Sequence, residues 1–317
     1  MPGPTTFTTL EPGGDNALAV TLGILGDEWN LWILRSALLG ARRYGDWIAR
    51  GPISHAVLTA RLGRLTEAGL FEKVVYQQQP VRHEYVLTAR GRSVWTVLVS
   101  MWAWEQHWSA DAGARLPRRR HTACGQLFVP RLVCAACGAP ADAHDVSVRT
   151  GPSGDRSRCV PAAAGRRRSG RAARTPDIVP HTMELVGNRW SAALLGSAHR
   201  GATRFGEFAE QMGAPPAVVI DRLRRFTELD VLAPRPHPGR ADWVTYHLTD
   251  KGLAFFPVIA CMIAWGQRWF HAPEGPALET VHVGCGAPFL PGLVCDRCDA
   301  TLNAATIAIE DATVANG

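Results

Sequence analysis

The chain is 317 residues long, about two domains' worth, and 46% of it is hydrophobic, enough to bury a real core. Charged residues make up 20%, with 34 Lys plus Arg against 28 Asp plus Glu and a formal charge of +6, which excludes a disordered tail or a fibre and suggests an anionic partner without naming one. No apolar signal segment follows Met1, and the longest apolar stretch, Ala254 to Trp265, is too short to span a bilayer, so a soluble cytoplasmic protein with no membrane partner is expected.

Apolar residues fall at helical spacing over Asn16 to Leu25 and Trp29 to Leu39, broken near Gly26. Tyr44 to Arg50 predicts a short helix closed by Gly51-Pro52, and Ile53 to Ala68 a longer one ended by Gly69. Phe71 to Tyr76 and Glu84 to Leu87 read as strands joined by the turn Gln77 to Arg82. Thr88 then caps a last helix running to about Trp108. Helices, a two-stranded hairpin and a closing helix make a winged helix-turn-helix over residues 15–110.

On a wheel of about 100° per residue, Val57, Leu58, Leu62 and Leu65 share the face that packs inward. The opposite face carries His55, Ala56, Thr59, Ala60 and Gly63, with Arg64 at its border. Taken alone this is a solvated face. Followed by a basic-tipped hairpin, it suits a helix entering the major groove: short side chains, donors, and no carboxylate beside phosphate. Arg61 falls toward the buried border and suits a structural ion pair.

The sequence repeats itself at a shift of 161 residues without a gap. Gly26 and Trp29 meet Gly187 and Trp190; Tyr44-Gly45 meets Phe205-Gly206; Tyr85, Leu87, Thr88 and Gly91 meet Tyr246, Leu248, Thr249 and Gly252. A second winged helix is therefore expected over 176–271, and 150–175, rich in Gly, Pro, Ser, Ala and Arg, reads as a flexible basic linker. Its Arg166-Arg167-Arg168 fits solvated charge and phosphate contact equally well, and its Cys159 reads as an exposed bystander. The second recognition face differs. Ser54-His55 becomes Pro215-Pro216, Thr59 becomes Ile220, and Ala60 becomes Asp221, which would repel phosphate; this head is expected to be weaker or to read a different half-site. The candidate DNA-binding residues are Ser54, His55, Ala56, Thr59, Arg64 and Arg82 in the first copy and Arg225, Arg235 and Arg240 in the second.

Gly26-Asp27-Glu28-Trp29, Ile33-Leu34, Tyr44-Gly45-Asp46, Ile53-Ser54, Arg61-Leu62, Ala68-Gly69-Leu70 and Glu84-Tyr85-Val86-Leu87-Thr88 together resemble the HxlR family of winged-helix regulators. The second copy resembles it through Gly187-Asn188-Arg189-Trp190, Arg204-Phe205-Gly206-Glu207-Phe208 and Tyr246-His247-Leu248-Thr249. The resemblance implies a bacterial transcriptional regulator that binds double-stranded DNA and pairs through its first and last helices. One chain holding two units is either a pseudo-dimer by itself or still pairs with another chain. The cysteine that redox-sensing members carry early in the first helix is replaced by Asn16 and Asp177, which rules out thiol sensing at that point.

His121-x2-Cys124-x9-Cys134-x2-Cys137 recurs as His282-x2-Cys285-x9-Cys295-x2-Cys298. Three thiolates and an imidazole suit tetrahedral zinc, so each copy is expected to end in its own zinc-ribbon-like hairpin, over 118–149 and 279–310, with two structural Zn2+ per chain. Reduced unliganded thiols or disulfides are the alternatives, and repetition at identical spacing argues against them. Cys261 reads as a core residue. Trp102, Trp104, Trp108, Trp265 and Trp269 lie on the last helices, where packing between copies is the default and an aromatic effector pocket the sharper alternative.

The fold class expected is mainly α with small β, and no enzyme is expected: no phosphate loop, nucleophile elbow or His-Glu-x-x-His occurs. The leading function is a DNA-binding regulator with tandem winged helices on a pseudo-palindrome. The alternatives are a small-molecule-responsive sensor and a protein-interaction module with a degenerate second head.

Overall fold

The computed structural model describes residues 7–109, 116–159, 179–237 and 239–310. After a two-residue strand β1 (Thr8–Thr9), the first copy folds as α1 (Ala17–Leu25), α2 (Glu28–Leu38), α3 (Tyr44–Arg50), α4 (His55–Glu67), the hairpin β2 (Phe71–Gln78) and β3 (Val81–Leu87), α5 (Ala89–Ser93) and α6 (Trp95–Trp108). Strands β4 (Arg118–His121), β5 (Gln126–Leu127), β6 (Pro130–Cys134) and β7 (Val146–Thr150) follow, then the short α7 (Arg156–Cys159). The second copy repeats the plan as α8 (Pro180–Val186), α9 (Arg189–His199), α10 (Phe205–Met212), α11 (Pro216–Glu228), β8 (Leu232–His237), β9 (Arg240–Leu248), α12 (Asp250–Leu253) and α13 (Phe256–Trp269). It closes with β10 (Phe270–His271), β11 (Leu278–His282), β12 (Pro291–Cys295) and β13 (Ile307–Glu310).

Both winged helices are built as their sequences dictate. Asn16 and Asp27 cap α1 and α2, Ser54 caps α4 by accepting from Val57 N, and Thr88 and Thr249 cap α5 and α12. Leu58, Leu62 and Leu65 of α4 are buried with Trp47 and Phe71; Val219, Leu223 and Phe226 of α11 are buried with Phe208. Gly91 and Gly252 mark one close approach made twice: a Cβ would stand 2.2 Å from Leu70 O in one copy and 2.4 Å from Val231 O in the other.

The copies are wound into each other about a pseudo-twofold axis. The first helix of each packs on the last helix of the other, α1 on α13 and α8 on α6, while α6 and α13 lie side by side. Equivalent residues meet on the axis: Ser100 Oγ is 3.6 Å from Cys261 Sγ, and Leu132 pairs with Leu293 at the centre of the β6–β12 ladder. Cys261 is a core thiol, as expected, and burial pushes its pKa up to about 11.

Two expectations need correction. The ribbons do not close within a copy. Within a copy the described residues pair through the short β4–β5 ladder and single bridges such as Val133–Pro140 and Val294–Thr301; β6 pairs with β12, β7 with β11 and β4 with β13, each antiparallel and each across the copies. Arg120–Glu310 and Arg131–Asp299 ion pairs cross the same seam. The linker also begins later than expected. Thr150 ends β7, and Gly151 and Gly154 lie so close to Pro276 and Ala277 that a Cβ would stand 2.3 and 2.2 Å from their carbonyl oxygens. Asn16 Nδ2 donates to Ser153 O at 2.7 Å and to Cys159 Sγ at 3.1 Å, so Cys159 is half-buried and its thiol pKa is raised by that burial. Arg166, Arg167 and Arg168 lie outside the described residues. Among the described residues, no single helix is long and apolar enough to cross a membrane; α1 and α2 pass that measure only together, and they are bent by 76°.

One buried carboxylate breaks the symmetry. Helix α8 has Val179 at its N-cap and no side-chain cap of its own. Glu105 of α6, fully buried, supplies the acceptor from the other copy: it takes Thr182 N at 2.9 Å, Thr182 Oγ1 at 2.8 Å and His181 N at 3.1 Å. Its counterpart is Gly266, where a Cβ would lie 2.0 Å from Thr21 Oγ1, because α1 has its own Asn16 cap and packs directly on α13. Glu105→Ala leaves these three donors, and His181 Nδ1 at 2.9 Å, without their acceptor at the start of α8, and should lower unfolding stability by about 2–4 kcal/mol. Urea unfolding of this variant checks it; a loss below about 0.5 kcal/mol, the range of surface substitutions, contradicts the capping role.

Candidate nucleic-acid interface and metal centres

In the first head the exposed face of α4 is organised by a residue the sequence reading did not single out. Tyr44, at the start of α3, places its hydroxyl 3.1 Å from His55 Nδ1 and 3.2 Å from Thr59 Oγ1, and donates to His55 O at 3.0 Å. The Tyr44 and His55 rings stack at 5.7 Å. With the hydroxyl proton on the His55 carbonyl, His55 Nδ1–H donates to the tyrosine oxygen. Ser54, Ala56, Arg64 and Arg82 are exposed, the first of them committed to capping. Arg61 makes the expected ion pair, with Asp27 at 2.6 Å.

The second head keeps the scaffold and changes the surface. Pro215 is the N-cap of α11 and Pro216 its first residue, where the missing N–H costs nothing. Asn188 stands where the first copy has Asp27, so Arg222 has lost that carboxylate; it pairs instead with Asp221, which also takes Arg224 at 3.1 Å. The hydrogen bond from Arg222 holds the Asp221 carboxyl below the usual range. Asp221 is therefore a local counter-ion rather than the free repulsive charge expected from sequence. Arg225 is also corrected: Glu184 at 3.4 Å and Glu228 at 3.2 Å engage it. Arg235 and Arg240 are exposed on the hairpin, and the Arg240 guanidinium lies 4.3 Å from the centre of the Trp243 ring.

The tryptophans join the copies. Trp104 Nε1 donates to Lys251 O at 3.0 Å, Trp265 Nε1 to Arg90 O at 3.3 Å and Trp269 Nε1 to Ser93 Oγ at 2.9 Å, all across the seam. Trp102 Nε1 donates to Pro117 O at 2.9 Å, and Arg119 covers its ring at 4.7 Å. Trp108 is half-buried against His107. The cavity beside Trp102, lined also by Arg35, Arg119 and Met183, holds about 20 Å³, room for little more than one water. This favours the packing role over an aromatic effector pocket.

The cysteines and histidines gather in two clusters, again across the copies. His121 and Cys124 meet Cys295 and Cys298; Cys134 and Cys137 meet His282 and Cys285. In each, the four ligand atoms lie within 4.8 Å of one another. The eight residues expected as ligands all fall in these clusters, but their partition differs: β6–β12 pairing puts Cys295 opposite Pro130, beside the other copy's His-x2-Cys knuckle. Both clusters could hold metal ions.

Residues 24–112 and 185–274 match the HxlR-like helix-turn-helix family. The uncharacterized HTH-type transcriptional regulators Rv3095 of Mycobacterium tuberculosis and Mb3122 of Mycobacterium bovis are each 38% identical over 132 residues, 41% of this chain and 83% of theirs. The solved Pseudomonas aeruginosa protein PA1374 is 30% identical, spanning 45% of this chain and 97% of its own, with a TM-score of 0.34. With the family matched in both copies and a winged helix folded in each, the chain belongs to the HxlR-like helix-turn-helix family and carries its unit twice.

Proposed function

We propose that this chain is a DNA-binding transcriptional regulator whose two winged helices address the two halves of one pseudo-palindromic site. The observation that carries the reading is the cluster of exposed His55 and Thr59 on α4 with Tyr44 of α3, beside a hairpin whose Arg82 is exposed. His55 and Thr59 serve base edges, Ala56 a thymine methyl, and Arg64, Arg82, Arg235 and Arg240 the backbone. The related mycobacterial proteins are named as transcriptional regulators, in agreement with this. The pseudo-twofold supplies within one chain the symmetry that a homodimer brings to a palindrome.

The metal the clusters suit best is zinc. Bonds of about 2.3 Å to sulfur and 2.0–2.1 Å to nitrogen in a tetrahedron require S···S near 3.8 Å and S···N near 3.6 Å. Cys124 and Cys295 sulfurs are 3.9 Å apart, and His121 Nδ1 is 3.5 and 3.4 Å from Cys124 and Cys298. In the second cluster His282 Nδ1 is 3.2 and 3.5 Å from Cys285 and Cys137. Four protein ligands leave no place for a reacting water, so zinc here is structural, and each ion ties one copy to the other.

Metal analysis should give about two zinc per chain, and paired substitutions separate the two ways of sharing ligands. Cys124→Ser with Cys295→Ser strikes one cluster and should leave one zinc. Cys124→Ser with Cys134→Ser strikes both and should leave none; the reverse result refutes sharing across copies. For DNA, His55→Ala with Thr59→Ala should reduce preference for the selected duplex over random duplex by about 10-fold or more while salt-dependent binding persists. Full retention of preference in that variant defeats the groove assignment.

A further inference from the structure

The two heads of one chain present opposite chemistry at the same three positions. Tyr44, His55 and Thr59 form a hydrogen-bonding cluster in the first head. In the second, the same places hold Phe205, Pro216 and Ile220, none with a side-chain hydrogen-bonding group. Exposing apolar groups is unfavourable, yet Phe205 is 37% and Ile220 58% exposed, with Trp243 and Val244 of the adjoining hairpin 45% and 47% exposed. On α11 itself Pro216 and Ile220 are exposed while Val219, Leu223 and Phe226 are buried. Arg235 and Arg240 are exposed on the same hairpin, with the Arg240 guanidinium over the Trp243 ring, whereas Arg204 is held by Glu207 and Arg224 by Asp221 and Glu228.

We infer that the second head is a thymine reader: Phe205, Pro216 and Ile220 recognise 5-methyl groups in the major groove while Arg235 and Arg240 of the hairpin hold phosphates. Thymine alone among the four bases presents an apolar group there, so an apolar recognition face can discriminate only through it. An apolar face beside a cationic hairpin matches a duplex groove, where methyls lie between two phosphate rows. Asp221 does not spoil that field, since Arg222 and Arg224 neutralise it. The chain then reads an asymmetric operator, one half by hydrogen bonds and the other by methyl contacts.

This rests on the DNA-binding reading above, and the test tells their failures apart. Duplexes are selected from a random pool by the full-length, zinc-loaded protein, and thymines in each half-site are then replaced by deoxyuridine, which lacks only the methyl. Replacement in the second head's half-site should weaken binding about fourfold for each methyl contacted by Phe205, Pro216 or Ile220, whereas replacement in the first head's half-site should cost at most the single Ala56 contact. Changing Phe205→Tyr, Pro216→His and Ile220→Thr together should abolish that sensitivity and make the selected second half-site resemble the first. Selected sites without thymine in that half, or equal binding of the thymine and deoxyuridine duplexes, overturn the inference and leave DNA binding standing; the apolar face would then belong to a protein partner. Failure to select any duplex overturns both.

Discussion

Neither copy of this chain closes its own structure. A short two-stranded ribbon buries too little to be stable alone, and a single pairing of two to five residues is marginal in water. The chain meets this by exchanging strands, so that β4, β6 and β7 each find a partner in the other copy. The helices follow the same rule, α1 on α13 and α8 on α6. Tryptophan indoles donate across the seam to backbone groups of the other copy, so the apolar area they bury comes without an orphaned N–H. Once strands are exchanged, the Cys/His knuckles have no choice of partner, and the two clusters are consequences of the ladder register rather than independent designs.

The same logic explains the arginine in the middle of each recognition helix. A guanidinium at the border of the core needs a carboxylate. The first copy takes it from Asp27 at the start of α2. The second has Asn188 there and takes it from Asp221, one residue before Arg222 on the same helix. What looks like an acid placed on a DNA-reading face is the relocated partner of a structural arginine.

Much of this was legible in the sequence. Apolar spacing located the helices, the shift of 161 residues revealed the duplication, and His-x2-Cys with Cys-x2-Cys picked out the residues that gather in clusters. What sequence could not assign was partnership. Ligands at identical spacing in both copies give the same inventory whether shared within a copy or across copies, and only strand pairing decides. Arg225 looked free because Glu184 lies 41 residues away. Tyr44 passed as part of a motif, although the loss of its hydroxyl in Phe205, together with the changes at His55 and Thr59, was a signal that three positions act as one.

Duplication within a chain also removes a constraint that a homodimer obeys. In an isologous contact every residue occurs twice, and a residue on the axis faces itself. Here Ser100 faces Cys261, and Glu105 has Gly266 as its counterpart. A symmetric pair of glutamates would serve α8 but would drive a second carboxylate into Thr21 and Ala17 of α1, which already has a cap. The fused chain uses the carboxylate once, where a cap is missing, and a glycine where helices must touch. The recognition faces diverge under the same freedom. A homodimer can only repeat one reading surface, whereas this chain holds two different surfaces at a separation fixed by a common, interwoven core.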